Sequence, residues 1–143
     1  MTGDKVIHTL GTSSRSAAGF VGILCAYGLE MAADVRSFPG SRFPQFRREV
    51  LAQILGEAGI GYAYLGKELG GRRVEGFEAY TQTAAYLRGV DLLERLASRC
   101  RCAILCAERL PARCHRRFIA RSLEERGWEV VHILEEDRPA SRI

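Results

Sequence analysis

Short apolar runs alternate along the chain with segments of helical periodicity. Val6-Ile7-His8-Thr9-Leu10 reads as a first strand ending at Gly11. Ser13 and Ser14 offer a helix cap, and a helix to about Tyr27 turns Phe20, Ile23 and Leu24 inward. Met31 to Arg36 is a second strand, opening into a loop from Ser37 to Pro44 marked by its prolines and glycine. A helix from near Arg47 to Ala58 carries Val50, Leu51, Ile54 and Leu55 as its apolar positions. Gly61 to Leu65 is a third strand. The stretch from Gly66 to Gly76 holds four glycines and the pair Arg72-Arg73, which predicts a long exposed loop. Helical segments are expected near Phe77 to Arg88 and from Val90 to Ser98. Cys102 to Cys106 is unbroken apolar sequence, the pattern of a central strand covered on both faces. Pro111 suits the first turn of a helix that continues to Arg126 and stops at Gly127. Glu129 to Leu134 completes the sheet, and the polar tail 135–143 is expected to fray.

This order of elements predicts an α/β fold: one domain over residues 1–143, three layers α/β/α, with a largely parallel sheet of about five strands. No internal repeat, low-complexity stretch or linker divides the chain. Its 143 residues suffice for one hydrophobic core. At 47% apolar and 27% charged residues, the balance is that of a soluble globular protein. No apolar run approaches the ~20 residues of a membrane-spanning helix, so no membrane partner is expected. Residues 1–5, with an acid at Asp4, do not resemble a signal peptide. Five cysteines, an odd number, argue against a disulfide framework and for free thiols in a reducing cytoplasm. The formal charge of +4 comes mostly from arginine, since the only lysines are Lys5 and Lys67. Arginine's planar fork suits phosphate and carboxylate recognition.

Open parallel sheets bind ligands beyond the carboxyl ends of their strands. Three such junctions collect polar residues here: Gly11-Thr12-Ser13-Ser14-Arg15, Asp34-Val35-Arg36-Ser37, and Cys106-Ala107-Glu108 continuing to Cys114-His115-Arg116-Arg117. The third is the densest, with two thiols, a carboxylate and an imidazole within ten positions. A helix N-terminus favours anions and lowers the pKa of a nearby thiol. Helical spacing places Cys114 and His115 on the same inward face as Phe118, Ile119, Ser122 and Leu123, with Arg117, Arg121, Glu124 and Glu125 opposite. Candidate catalytic residues are therefore Cys106, Glu108, Cys114 and His115. Candidate anion-binding residues are Ser13, Asp34, Arg36, Arg72, Arg73 and Arg116. Cysteines more often pack than react, and Cys25, Cys100 and Cys102 are read as packing residues. His8 and His132, in strands, are read as structural histidines. Zinc on Cys106, Cys114 and His115 is disfavoured, because there is no C-x-x-C pair and neighbours within a helix rarely point at one metal. No metal and no cofactor is expected.

Thr9-Leu10-Gly11-Thr12-Ser13, Asp34-Val35-Arg36-Ser37-Phe38-Pro39, Ser41, Phe46, Leu69-Gly70-Gly71, Gly76-Phe77, Tyr80, Cys106-Ala107-Glu108 and Cys114-His115-Arg116 resemble, in order and over most of the chain, the family known as domain of unknown function 488. Members of that family usually have histidine where this chain has Thr12, and often methionine where it has Thr81. The resemblance implies an α/β fold and a motif set, not a reaction. A weaker, fold-level likeness is to rhodanese-type sulfurtransferases, through Asp34-Val35-Arg36 and Cys106. It fails where this chain inserts Glu108 to Pro111 before the helix.

Three functions compete. The first is a cysteine-dependent transferase or hydrolase acting on a small anionic substrate that bears phosphate, sulfur or carboxylate. Cys106 or Cys114 would be its nucleophile, His115 the base or charge partner and Glu108 an orienting or proton-transfer group. The Gly66 to Gly76 loop would close over the site. The second is a nucleotide or nucleic-acid binding module. Its basic surface would be Arg15, Arg36, Arg42, Arg47, Arg48, Arg72 and Arg73, with Phe38, Phe43 and Phe46 interleaved, although Phe46 suits the core better. The third is a redox or metal sensor built on Cys106 and Cys114. Oligomeric state is left open.

Overall fold

The computed structural model describes residues 5–38 and 40–134; Pro39 and the tail expected to fray lie outside them. Five strands form one sheet: β1 (Val6–Gly11), β2 (Met31–Asp34), β3 (Gly61–Tyr64), β4 (Cys102–Cys106) and β5 (Glu129–Ile133). Their spatial order is β3-β2-β4-β1-β5, and every pairing is parallel. The helices are α1 (Ala17–Ala26), α2 (Arg48–Glu57), the single turns α3 (Gly66–Leu69) and α4 (Phe77–Tyr80), α5 (Ala84–Arg99) and α6 (Arg116–Glu125). None of the described helices is long and apolar enough to cross a membrane.

Strand periodicity sorts the side chains into two cores. On one face Ile7, Ala33, Cys102, Ile104 and Cys106 pack under α5 and α6, against Tyr86, Val90, Leu93, Ile119 and Leu123. On the other Leu10, Ala32, Ala103, Leu105 and Ile133 meet Phe20, Ile23 and Leu24 of α1 and Leu51 and Leu55 of α2. β4 is buried along its whole length, as its unbroken apolar sequence requires. Cys106 therefore faces α6.

The same division positions a crevice. β2 and β4 are neighbours, yet β2 leads to α2 on one face and β4 to α6 on the other. Adjacent connections that diverge open a gap at the carboxyl ends of their strands. β1 and β4 diverge likewise, but there the backbone at Glu108 lies directly on Gly11, leaving no room even for a Cβ. The gap that remains is over β2 and β4.

Several boundaries differ from those predicted. The cap of α1 is Ser16, whose Oγ accepts from the Gly19 N–H at 3.0 Å, and not Ser13 or Ser14. Ser13 instead takes a positive φ of 49° in the turn after β1. Cys25 is exposed, because its position on α1 turns away from Phe20 and Leu24. Residues 66–76 are not one exposed loop. Leu69 is completely buried and α3 packs on α5, so only the segment after Gly70 is open. The helical break falls at Thr81–Thr83, where Thr83 Oγ1 accepts from the Tyr86 N–H at 3.2 Å, rather than at Gly89. Gly89 is an interior residue of α5, where its missing side chain admits Leu69. A Cβ there would lie 2.7 Å from Leu69 Cδ2 and from Glu68 Cβ.

Helical glycine normally costs about 1 kcal/mol relative to alanine, and two sites in this fold respond oppositely to its removal. Gly56, near the end of α2, has nothing within 4 Å of an added Cβ. Gly56→Ala is expected to raise stability by about 0.5–1 kcal/mol. Gly89→Ala is expected to lower it by about 1–3 kcal/mol, as overpacking of Leu69 outweighs propensity. Urea unfolding of the two variants measures both signs.

Candidate functional site

Pro111–Arg113 forms a 3-10 turn, not the start of the long helix predicted from Pro111. Cys114 follows in extended conformation, φ −134° and ψ 147°, and α6 starts only at Arg116. Cys114 thus sits just outside the helix N-terminus, where the first N–H groups are unsatisfied. Its Sγ accepts from the Arg116 backbone N–H at 3.4 Å. Arg116 was expected to hold substrate; it is instead completely buried. Its position is one helical repeat from Ile119, Ala120 and Leu123, the buried face of α6. The side chain turns back under the junction. Its Nη1 donates to Cys106 Sγ at 2.9 Å and its Nη2 to the Arg109 carbonyl at 2.7 Å. Its Nε has no partner.

Two thiols and one cation therefore share a desolvated pocket. Cys106 is wholly buried; its thiol donates to the Glu108 carbonyl at 3.4 Å and neighbours that of Cys114. Burial, and then the charge on Cys114, push the Cys106 thiol well above its ordinary value. The hydrogen bond from Cys106 pulls the Cys114 thiol down to about 4 against the effect of burial, aided by His115 and the Arg116 N–H. Of the two thiols Cys114 is the one pulled down and Cys106 the one pushed up, because Cys106 is wholly buried while Cys114 meets the cleft. Arg116 braces both sulfurs, its Nη1 donating to Cys106 and its backbone N–H to Cys114.

His115 completes the arrangement. Its Nε2 lies 3.1 Å from the Val35 carbonyl, which can only accept, so Nε2 carries a proton. The other nitrogen, Nδ1, faces Cys114 Sγ at 3.6 Å. The ring is wedged edge-on against Phe77, 5.0 Å between centroids. On its other side a Cβ at Gly71 would come within 2.8 Å of Nδ1, so only glycine lets this imidazole sit where it does. One backbone carbonyl of β2's end and one glycine after α3 thus orient a side chain from the start of α6.

A cleft of about 390 Å³ opens above these groups. Its walls are Arg36, Ser37, Phe38 and Ser41 from the loop after β2, Gly71 and Arg72, and Ala107, Glu108, Cys114 and His115. Of the predicted catalytic residues, Cys114, His115 and Glu108 line it, with Glu108 exposed at its mouth. Cys106 lies behind Cys114.

The anion-binding set divides. Arg72 is exposed at the rim, its guanidinium 5.3 Å from the Phe38 ring centroid. Its backbone N–H donates to Ser37 Oγ at 2.9 Å, leaving that hydroxyl proton free to point into the cleft. Arg36 reaches the wall, but its guanidinium grips Asp34 through two bonds of 2.8 and 2.9 Å and the Phe46 carbonyl at 2.7 Å. Asp34 is completely buried and also accepts from Tyr62 Oη at 2.6 Å, so it faces no ligand. Arg73 is turned down onto Gly70 O, Lys67 O and the Tyr80 ring. Ser13 lies past Gly11, outside the cleft lining. Among the described residues no three His, Cys, Asp or Glu side chains are grouped to hold a metal.

Other sequence readings fare as follows. Arg15 is buried, so it and Arg36 cannot join a basic surface, and Phe46 packs on Phe20 in the core. His132 Nδ1 bonds Thr9 Oγ1 at 2.6 Å and His8 packs edge-on against Tyr27, both structural contacts. The roles of Arg116 and Gly71 were not foreseen. Arg116 carried a signal, its spacing to Ile119 and Leu123, which the charge on the residue obscured.

A family profile described as "Domain of unknown function DUF488" matches residues 16–123, a span from the start of α1 to the buried face of α6 that includes every residue lining the cleft. No curated protein and no solved structure matches the chain.

The lowered Cys114 thiol has a consequence for stability. A group whose pKa is depressed by folding stabilises the fold above its unfolded value, and that contribution is lost as pH falls toward the folded one. The window runs from an unfolded value near ~8.5 down to about 4. The melting-temperature difference between wild type and Cys114→Ser should grow as pH rises from 4 to 8, with an upper limit of about 1.4 kcal/mol per pH unit. A difference that stays constant across that range would contradict a buried thiolate.

Proposed function

The chain belongs to the DUF488 family, which is defined by sequence and not by a reaction, and on that premise we propose that it is a thiolate-dependent enzyme acting on a small anionic substrate. The observation that carries the reading is the buried Arg116, which donates to both the Cys106 and the Cys114 sulfur, with Cys114 at the floor of an open cleft. A structural cysteine has no need of a desolvated cation behind it, a helix N-terminus beneath it and an oriented imidazole beside it.

In this reading Cys114 Sγ attacks the substrate as thiolate. His115, with Nε2 held by Val35 O, presents Nδ1 to the sulfur and to the leaving group, and exchanges the proton there. The anionic part of the substrate lies toward the exposed guanidinium of Arg72 and the Ser37 hydroxyl. Glu108, at the mouth, is placed to pass protons to solvent. Arg36 and Asp34 shape the wall through their mutual ion pair rather than by touching the ligand. A cleft of this volume suits a small molecule more than a strand of nucleic acid.

Alkylation tests the reading. Low-pKa thiolates are intrinsically weaker nucleophiles, so the diagnostic is the pH profile and not the absolute rate. Cys114 should react with iodoacetamide at a nearly constant rate from pH 5 to 8. A small free thiol alkylated alongside, such as N-acetylcysteine, should accelerate about tenfold per unit over that range. Peptide mapping by mass spectrometry follows Cys114. The anion half of the proposal predicts that Arg72→Ala slows iodoacetate about threefold or more at low salt while leaving iodoacetamide within about twofold. A Cys114 rate that climbs in parallel with that of the free thiol would overturn the proposal.

A further inference from the structure

Cys106 is a second thiol that a one-cysteine mechanism does not use. Its sulfur is completely buried, is absent from the cleft wall that Cys114 lines, and is braced with Cys114 by one residue, Arg116. It also holds one end of Arg116, while the backbone N–H of the same arginine holds the other sulfur. A serine or alanine would fill the same space if Cys106 merely packed. The order in which the thiols can react is set by access: Cys114 from the cleft, then Cys106 from behind.

A thiol directly behind a nucleophilic sulfur has a use only for certain adducts. If Cys114 carried an acyl or phosphoryl group, attack by Cys106 would move the group between sulfurs and release nothing. If Cys114 carries a second sulfur, attack by Cys106 on Cys114 Sγ expels that sulfur as a thiolate. We propose that Cys106 is the resolving thiol of a Cys106/Cys114 dithiol, and that the substrate is a small disulfide bearing carboxylates. This rests on the thiolate reading of Cys114 given above.

The steps balance. The Cys114 thiolate attacks one sulfur of the disulfide RSSR, forming Cys114–S–S–R and releasing RS⁻ into the cleft beside Arg72. The Cys106 sulfur then attacks Cys114 Sγ, its proton passing by way of His115 Nδ1 to the departing second RS⁻. The protein dithiol is oxidised to the Cys106–Cys114 disulfide, and RSSR is reduced to two thiols. A small thiol returns the pair to the dithiol by the reverse exchange. An uncharged oxidant such as hydrogen peroxide makes no use of Arg72 or the Ser37 hydroxyl, which is why a carboxylate-bearing disulfide is the class assigned.

The test uses the reduced full chain at pH 6 with oxidised glutathione as the carboxylate-bearing probe and bis(2-hydroxyethyl) disulfide as the neutral one. After an acid quench the tryptic map is read by mass spectrometry. Arg109 lies between the two cysteines, so their fragments stay joined only through a disulfide. Wild type should give the joined Cys106–Cys114 fragments and two equivalents of released glutathione. Cys106→Ser and Cys106→Ala should stop at a stable glutathione adduct on Cys114, with complete loss of the joined fragments. Oxidised glutathione should react about threefold or more faster than the neutral probe, and Arg72→Ala should abolish that ratio. A persistent glutathione adduct on wild-type Cys114 would overturn the resolving role while leaving the thiolate reading intact. Equal rates for the two probes would overturn the substrate class. No adduct at Cys114, with ordinary alkylation behaviour, would overturn both readings. Wild type alone decides the first outcome should either Cys106 variant fail to fold.

Discussion

The site depends on one buried positive charge. Arg116 is completely inaccessible, and among the described residues no carboxylate pairs with it. Withdrawing a guanidinium from water costs several kcal/mol, which must be offset by opposite charge and hydrogen bonds. What the fold supplies is a carbonyl, the Cys106 sulfur and, through it, the charge on Cys114. The dependence runs both ways. Arg116 makes a thiolate tolerable at the base of the cleft, and the thiolate makes Arg116 tolerable in the core. Sheet geometry imposes the meeting, since strand periodicity in β4 turns Cys106 toward α6 and the first buried position of α6 is Arg116 itself.

A second buried arginine shows what a completed pair looks like. Arg36 is nearly as inaccessible, but Asp34 answers it two residues away with both carboxylate oxygens, and Tyr62 and the Phe46 carbonyl complete the set. That network spends its charge internally. It pins the loop after β2 to the 3-10 turn at Pro44–Phe46 and so holds the wall that carries Ser37, Phe38 and Ser41. Both arginines are buried and their settings differ: the charge of Arg36 is closed in an ion pair, and that of Arg116 lies behind the sulfur proposed as the nucleophile.

Much of this was legible in the chain. Unbroken apolar sequence at Cys102–Cys106 pointed to a central strand, and the polar residues at the ends of β2 and β4 marked two junctions that the parallel pairing brings side by side. Cys114 and His115 were expected inward from a shared helical face; they reach the cleft instead from an extended residue and the cap of α6. Less legible was anything decided by close packing between distant segments. Gly89 looked like a helix break because glycine is a poor helix former; tertiary contact with Leu69 reverses that meaning. The four glycines of 66–76 looked like an exposed loop, yet the first half of that stretch is buried against α5 and Gly71 is the seat of the His115 ring. Arginine at an inward helical position reads as surface on composition alone. The Cys106 sulfur and the Arg109 carbonyl, contributed from outside the helix, offset its burial.

Thr12 is the position at which the family resemblance read from the sequence raised the expectation of a histidine. It is buried at the end of β1, its N–H donating to the Cys106 carbonyl at 2.7 Å. The position lies behind the cleft, on the β1 side that the Glu108 backbone fills. A side chain there supports the β4 junction through its backbone without reaching ligand space. In the proposed reaction proton handling therefore falls to His115, which has what that task requires: a fixed tautomer, a rigid seat and a nitrogen facing the sulfur. Threonine at position 12 bears on what stands behind the Cys114 sulfur and not on what stands beside it. The arrangement proposed to set the chemistry, Cys114 backed by a buried guanidinium, meets Thr12 through the backbone bond to Cys106.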